Sequence, residues 1–449
     1  MAETHKGFGL LFEMGCGKTL TAIMIAGTAY QMGKVEKVLV VAPTSVCSVW
    51  PKDFAEFADF KANIKVLLGD KNRRLKLLND LDNFPFKALK VAVINYESTW
   101  REGIFDALYE WNADMIICDE SQRIKSHDAE QSKAMHKLGD QAKYKLILSG
   151  TPVQNNAIDL YSQYRFLDPT IFGTNFYQFR NRYAIMGGFN RHQIVGYKDL
   201  DQLIQKEHSI AYRVTKDEAL DLPEQTFLQR YITMSAKEKN IYDRIKRESF
   251  AELESGGQIS ATTVLTKLLR LQQFTGGFLV ADGEEKPELV SKGKLNALEE
   301  IVDDYVVDAG KKLVIFARFR PEIDIIGQML KKKKLRYGEI YGDVKLEYRG
   351  DIVKDFQTNP ETMVFLAQID TAGLGITLTA ADTCVYYSVN FNYAAYSQSL
   401  ARIHRIGQKN ACTYIHLITE GTIDEVVLKA LAKKEDLAKT VVDTWRDYF

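Results

Sequence analysis

The sequence predicts an α/β fold made of two parallel sheets, each belonging to its own lobe. Short, continuous apolar runs rich in Val and Ile alternate with helical patterns in the first part of the chain, and the same alternation resumes after a long helical stretch. A glycine-rich turn that follows an apolar run and opens a helix is also typical of open parallel sheets.

That turn is the stretch Phe-Glu-Met-Gly-Cys-Gly-Lys-Thr at residues 12–19. Backbone N–H groups of such a loop and the following helix dipole converge on one anion, which predicts a phosphate site. Lys18 is expected to reach the β- and γ-phosphates, and the Thr19 hydroxyl to bind Mg²⁺. Phe12 replaces the first glycine of the pattern GxxxxGKS/T, so a simple turn or helix cap remains the alternative.

Seven apolar runs predict the strands. They are bounded by turn residues and are too short for most buried helices, although a buried helical segment is the alternative for each. Four runs belong to the first sheet and three to the second: 37–42, 91–95, 115–119 and 145–149, then 312–317, 363–367 and 383–387. The residues between, from about 158 to 293, predict helices whose aromatic side chains fit a core better than the alternative, a platform for base stacking.

Polar residues follow two of these runs, at the edge where an open α/β sheet binds its ligands. Asp119 is expected to hold Mg²⁺, and Glu120 to orient and deprotonate a water molecule. An acidic pair after a strand is otherwise often a helix N-cap. Ser149 and Thr151 follow the next run and either relay a change at the γ-phosphate or cap a turn; the sequence leaves both open.

Composition bounds the remaining possibilities. The 449 residues are enough for two or three domains, and 59 Lys and Arg balance 59 Asp and Glu, so a nucleic-acid surface must be local. Five scattered cysteines without CxxC pairs indicate a reducing compartment and disfavour zinc. No apolar stretch approaches the roughly 20 residues that span a bilayer, and we expect a cytoplasmic protein.

Arg402 and Arg405 lie three residues apart near the end of the chain. On a helix they would share one face and could reach one anion together. Arginines on a surface are usually less specific, but a lobe without a phosphate loop needs a device that senses the nucleotide, and a pair of arginine fingers is such a device.

Seven segments, in this order, resemble the motifs of the sucrose-non-fermenting (SNF/SWI-type) ATPase family of superfamily-two helicases. They are EMGCGKT, VVAPTSV, DESQRIK, LSGTPVQNN, VIFARF, AGLGITLTAAD and QSLARIHRIGQ. The resemblance implies a minimal bacterial or phage-like member with two RecA-like lobes. It implies ATP and Mg²⁺ in the cleft and double-stranded DNA across both lobes.

The resemblance also implies roles for individual residues. Those expected to act in catalysis are Glu120, Arg402, Arg405 and Gln398. Those expected to bind the nucleotide are Met14, Gly15, Cys16, Gly17, Lys18, Thr19 and Gly375, with Thr19 and Asp119 on the metal. Those expected near nucleic acid are Thr44, Ser45, Lys125, Thr377 and Phe391.

Several positions depart from the family pattern. Gln122 replaces the His of the DExH tetrad, which leaves its coupling to Ser149 and Thr151 open. Phe391-Asn392-Tyr393 replaces a Trp-Asn-Pro turn, and Thr377 replaces an Asn. The family reads adenine with a glutamine upstream of the phosphate loop, for which too few residues precede Phe12, so we expect weak discrimination between ATP and GTP.

The predicted organisation is a first lobe at 1–230 with a helical insertion at about 156–212, and a second at 231–449 with an insertion at about 236–290. The predicted function is an ATP-dependent translocase on duplex DNA that is monomeric without DNA. The alternatives are a strand-separating helicase and a nucleotide-gated DNA-binding module with little turnover.

Overall fold

The computed structural model describes residues 6–154, 156–187, 193–254, 261–280, 287–374 and 376–442. They form two compact units. The first comprises the described residues up to Asp221 together with those from Lys434 onward, and the second comprises Leu222–Lys433.

The first unit is built on a seven-stranded sheet of order β3-β4-β2-β5-β6-β1-β9, in which every pair is parallel. A separate antiparallel hairpin is formed by β7 and β8. The strands are β1 Gly7–Phe12, β2 Lys37–Ala42, β3 Ala62–Val66, β4 Leu89–Asn95, β5 Met115–Asp119, β6 Tyr144–Leu148, β7 Ala184–Gly187, β8 Gln193–Tyr197 and β9 Ala211–Val214.

Helices connect these strands and cover both faces of the sheet. Along β1, Leu11 packs into the core on one face while Leu10 and Phe12 pack into the core on the other. Burial on both faces explains why the strands are continuous apolar runs. The helices are α1 Lys18–Gln31, α2 Thr44–Cys47, α3 Trp50–Phe57, α4 Lys71–Asp82, α5 Ile104–Trp111, α6 Glu130–Gln141, α7 Leu160–Leu167, α8 Pro169–Phe172, α9 Phe176–Tyr183, α10 Leu200–His208 and α11 Lys216–Ala219.

The second unit contains a six-stranded parallel sheet of order β10-β17-β16-β13-β15-β14 and the hairpin β11-β12. Its strands are β10 Gln225–Ile232, β11 Phe278–Val280, β12 Pro287–Leu289, β13 Leu313–Ala317, β14 Arg336–Ile340, β15 Thr362–Gln368, β16 Thr383–Tyr386 and β17 Cys412–Thr419. Its helices are α12 Ala236–Glu254, α13 Ala261–Thr275, α14 Gly293–Val302, α15 Arg320–Lys332, α16 Leu346–Thr358, α17 Tyr393–Leu400 and α18 Ile423–Val442, the last of which begins within it.

The predicted α/β fold with two parallel sheets is confirmed, and each of the seven apolar runs contains a strand. The two regions predicted as helical insertions also hold the hairpins β7-β8 and β11-β12. The chain divides at Asp221/Leu222 because β10, which follows, pairs with β17 of the second sheet.

None of the helices in the described part of the chain combines the length and apolar character needed to cross a membrane.

Candidate functional site

The glycine-rich loop lies between the end of β1 at Phe12 and the start of α1 at Lys18. Gly15 has φ 90° and Gly17 has φ 82°, and a Cβ on either would meet no atom within 4 Å. Backbone conformation, not crowding, therefore requires glycine at both positions. No side chain caps α1, because its N-cap is Gly17. The first N–H groups of the helix are thus oriented to receive an anion.

The Lys18 side chain folds back onto this loop. Its Nζ donates to the carbonyl oxygens of Phe12 at 2.9 Å and Glu13 at 3.2 Å. Burial lowers the pKa of Lys18, and the carboxylates of Glu120 and Asp119 act against that shift. The ammonium is thus held beside the loop by weak acceptors that a phosphate can replace. This arrangement fits a nucleoside triphosphate.

Asp119 ends β5, two strands from β1 in the same sheet. Its side chain is only 5% exposed, and Trp50 Nε1 donates to Oδ2 at 3.1 Å. Burial, reinforced by Glu120, raises the pKa of Asp119 to about 7, against the opposing effects of Lys18 and Trp50. A buried carboxylate that is costly to ionise is stabilised by a divalent cation, so Asp119 fits the Mg²⁺ that the ATP site implies.

Glu120 and Ser149 are joined through Gln122. Gln122 Nε2 donates to Glu120 Oε2 at 2.5 Å, Ser149 Oγ donates to Gln122 Oε1 at 2.7 Å, and the Thr151 N–H donates to Ser149 Oγ at 3.1 Å. Gln122 therefore connects Glu120 with Ser149, although it replaces the histidine of the family pattern. Because an amide does not titrate, the connection keeps its hydrogen-bond polarity across the physiological pH range.

We expect Asp119→Asn to stabilise the metal-free protein at pH 8. The pKa of Asp119 in the folded protein lies above its value in the unfolded chain. Between these two values the folded state binds more protons than the unfolded state, so the free energy of unfolding falls as pH rises from about 4 to about 7. Asparagine removes the ionisation cost, which is on the order of 4 kcal/mol when the pKa rises from 3.8 to about 7.

Urea unfolding in EDTA at pH 5 and pH 8 measures this effect, which should be larger at pH 8. Asp140→Asn is the matched control and should lower the stability of the protein, because a hydrogen bond from Arg165 lowers the pKa of Asp140. An equal stability change for Asp119→Asn at both pH values would contradict the prediction.

The three nucleic-acid positions predicted in the first unit lie in different surroundings. Thr44 is exposed and Ser45 half-buried, both in the first turn of α2 after β2. Lys125 is half-buried, and its Nζ donates to Gln154 Oε1 at 2.6 Å and lies 3.9 Å from Asp159 Oδ2. Binding a DNA phosphate through Lys125 therefore requires exchanging these partners.

In the second unit, the helix predicted to carry both arginines ends before them. α17 stops at Leu400, and Arg402 and Arg405 lie in the turns that follow. The Arg402 N–H donates to Ser399 O at 3.1 Å, an i−3 bond that tightens the helix end. The helical placement was therefore wrong. The predicted convergence is present nevertheless, because Nη1 of both side chains donates to Ile376 O, at 3.4 Å and 3.3 Å.

Gln408 explains how this turn keeps its shape. Its Nε2 donates to Ala381 O at 2.9 Å and Ile403 O at 3.2 Å, and its Oε1 accepts from the N–H groups of Lys409 and Asn410. Arg402 is only 2% exposed, and burial lowers the pKa of Arg405. The two guanidiniums are thus held in a largely desolvated turn, where their charges act more strongly than in water.

The remaining predicted residues of this unit lie around that turn. Gln398 is half-buried on α17, Thr377 is half-buried beside Ile376, and Phe391 is half-buried against the core. Gly375 lies outside the described residues. The functional roles of all these residues stay predictions.

Sequence reasoning missed two residues that hold the first unit's site. Trp50 donates to Asp119 across 69 positions of sequence, and Arg213 donates to Leu11 O across 202. Such separations leave no local pattern. The one available signal for Arg213 is a charged residue in the short β-like run 210–214.

Residues 2–276, more than half of the chain, match the family model of the SNF2-related domain. The chain belongs to the SNF2-related family. Residues 293–407 match the Helicase conserved C-terminal domain. The prediction of this family is therefore confirmed.

Relatives of this SNF2-related chain include an ATP-dependent helicase of Mycoplasma genitalium, 26% identical over 98% of this chain and 40% of that protein. Another is the chromodomain-helicase-DNA-binding protein 1-like of Mus musculus, 28% identical over 96% of this chain and 47% of that protein. The SNF2-related chain thus spans less than half the length of these curated relatives.

Among solved structures, the Sulfolobus solfataricus SWI2/SNF2 ATPase core in complex with double-stranded DNA is similar at 26% identity. The match covers 99% of this SNF2-related chain and 90% of that chain, with a TM-score of 0.44.

Proposed function

We propose that the chain hydrolyses ATP when it binds duplex DNA, and that hydrolysis drives its movement along the duplex without separating the strands. The observation that carries this proposal is the position of two strand ends: the loop with Lys18 follows β1, and Asp119 and Glu120 stand at the end of β5, at the same edge of one parallel sheet. Phosphate-binding, metal-binding and proton-accepting groups are then available at one site, which is the set that nucleotide hydrolysis requires.

The residues divide the chemistry among them. Lys18 and the N–H groups of α1 hold the phosphates of ATP, and Thr19 and Asp119 are the residues that would hold Mg²⁺. Bound Mg²⁺ supplies positive charge that offsets the charge of the phosphate oxygens. Glu120 accepts the proton of the attacking water, while Gln122 fixes the carboxylate through its hydrogen bond to Oε2.

Arg402 and Arg405 provide positive charge that stabilises the phosphoryl group during transfer. Their shared acceptor, Ile376 O, is a neutral carbonyl, so an anionic phosphate oxygen would bind either guanidinium more strongly. Ile376 and Thr377 are neighbours in the chain, and Thr377 is one of the proposed DNA contacts. A change at the arginines can therefore reach the DNA-binding residues through one short segment.

Duplex DNA is proposed as the substrate of movement because the family includes relatives named as DNA-binding helicases. The net charge is zero, so binding rests on local groups. The proposed contacts are Thr44, Ser45, Lys125, Thr377 and Phe391. Hydroxyl groups and a lysine suit phosphate oxygens, which are the same at every base pair. A motor that moves along DNA needs contacts of this kind, because they do not depend on base sequence.

Steady-state ATP hydrolysis with and without a blunt duplex tests the proposal. We expect strong stimulation by duplex DNA and little by single strands. Hydrolysis that is equal with and without DNA would contradict it. Binding of duplex DNA without turnover would favour the nucleotide-gated binding module, and ATP-driven release of one strand from a duplex would favour the helicase.

We also expect duplex affinity to fall steeply with salt, because phosphate contacts release condensed counterions. Each phosphate that a Lys or Arg neutralises should contribute about −0.9 to the slope of log K against log salt. Fluorescence anisotropy with two unrelated sequences from 50 to 200 mM KCl measures it, and the two sequences should give the same affinities. A flat salt dependence together with a strong sequence preference would indicate base recognition and contradict the proposal.

A further inference from the structure

Arg213 is a buried arginine at the edge of the phosphate loop that the proposed chemistry does not use. It lies on β9, which pairs in parallel with β1 so that Leu11 is opposite Arg213 and Phe12 opposite Val214. Its side chain is 6% exposed. The residue is therefore next to the end of the strand that leads into the loop.

The guanidinium contacts three separate parts of the site. Nη2 donates to Glu13 Oε1 at 2.9 Å, in the loop itself. Nη1 donates to Leu11 O at 2.9 Å, at the end of β1, and to Gly150 O at 3.3 Å, in the turn after β6. The planar group thus ties the loop, the strand before it and the 149–151 turn to one another.

The partner carboxylate is fixed independently. Glu13 Oε2 accepts from the Lys216 N–H at 2.9 Å, and the Glu13 N–H donates to Val214 O at 2.9 Å. The segment around β9 therefore holds Glu13 through side chain and backbone. The two regions that Arg213 connects also pack closely, because a Cβ on Gly150 would lie 3.2 Å from Phe12 O.

These connections lead to both functional parts of the site. Lys18 Nζ donates to the carbonyls of Phe12 and Glu13, the residues directly after Leu11. Ser149, directly before Gly150, reaches Glu120 through Gln122. Arg213 thus bonds Leu11 and Glu13, next to the carbonyls that hold Lys18. It also bonds Gly150, next to Ser149, where the hydrogen-bond chain from Glu120 ends.

We propose that Arg213 is a positioning residue for ATP hydrolysis, which holds the phosphate loop and the 149–151 turn in one fixed arrangement. The role rests on the proposed function. Arg213 aligns Glu120, through Ser149 and Gln122, with phosphates held by Lys18. A displacement on the order of 1 Å in such an arrangement costs about 10²-fold in rate. Lysine keeps the charge but cannot make the three bonds in one plane.

The test compares Arg213→Lys and Glu13→Gln with wild type in duplex-stimulated ATP hydrolysis, with thermal unfolding to verify the fold. We expect Arg213→Lys to lower kcat about 10²-fold while KM for ATP changes less than about threefold. Glu13→Gln should lower kcat less, and the double variant should be no worse than Arg213→Lys alone, because both act through one connection.

Arg165→Gln is the matched control, since it breaks a different arginine–carboxylate pair of the first unit, with Asp140, away from the loop. A folded Arg213→Lys with wild-type kcat, or a loss equal to that of Arg165→Gln, would overturn the role. Should Arg213→Lys fail to fold, Glu13→Gln decides, since unchanged kcat there would overturn it too. A wild-type chain without ATP hydrolysis would overturn the proposed function itself, and the role with it.

Discussion

Glu120→Gln is expected to bind ATP and duplex DNA normally but to hydrolyse ATP about 10³-fold more slowly than wild type, within the range for loss of a general base. The substitution preserves size and polarity but removes the group that accepts the proton. Gln122 Nε2 donates to Glu120 Oε2 in wild type, and a glutamine oxygen can accept the same bond. Loss of rate would therefore not arise from loss of that contact.

Single-turnover hydrolysis and binding of a fluorescent ATP analogue separate the two steps. Lys18→Ala is the contrasting variant, because it removes the charge that holds the phosphates and should weaken analogue binding strongly. Undiminished hydrolysis by Glu120→Gln would remove Glu120 from the role of base. A matched loss of analogue binding in both variants would make Glu120 a nucleotide-binding residue instead.

Arg405→Ala is expected to lower ATP hydrolysis by about 10³-fold or more, the range for an arginine that stabilises the transferred phosphoryl group. ATP affinity should change little, because the phosphate loop belongs to the first unit. Arg405 lies in a largely desolvated turn beside Arg402, so its charge has a strong effect on an anion that reaches it.

Arg336→Ala is the control for Arg405→Ala, since Arg336 is an exposed arginine of the same unit that pairs with Asp355. It should hydrolyse ATP at the wild-type rate. A collapse of nucleotide affinity in Arg405→Ala with residual turnover near wild type would identify Arg405 as a binding or structural residue.

The sequence alone predicts the central strands of both sheets because their signal is local, but the seven runs omit β3, β9, β10, β14 and β17. A parallel strand buried on both faces must be apolar throughout, as in the run 37–42, and no tertiary contact alters that requirement. The phosphate loop is predictable for a similar reason, since the left-handed backbone at Gly15 and Gly17 needs glycine.

The rest of the site depends on contacts between distant residues. Trp50 and Arg213 meet Asp119 and Leu11 only after the sheet is assembled, and no spacing in the sequence encodes this. The arginine pair was placed on a helix because its spacing of three suits one, but α17 ends at Leu400, where the Arg402 N–H bonds to Ser399 O instead of continuing the helical ladder. Gln122 keeps a hydrogen bond to Ser149 even though it replaces the histidine of the family pattern, and the sequence alone had left this bond open.

Movement along duplex DNA is tested most directly by displacement of a third strand from a triplex that blocks one end of a duplex. The wild-type chain should displace the third strand only with ATP, with a lag that grows with the distance to the block, and should leave the underlying duplex intact. Glu120→Gln should bind the same DNA without displacing the strand. Third-strand release by Glu120→Gln, or wild-type ATP hydrolysis on the duplex with no release, would contradict movement as the function.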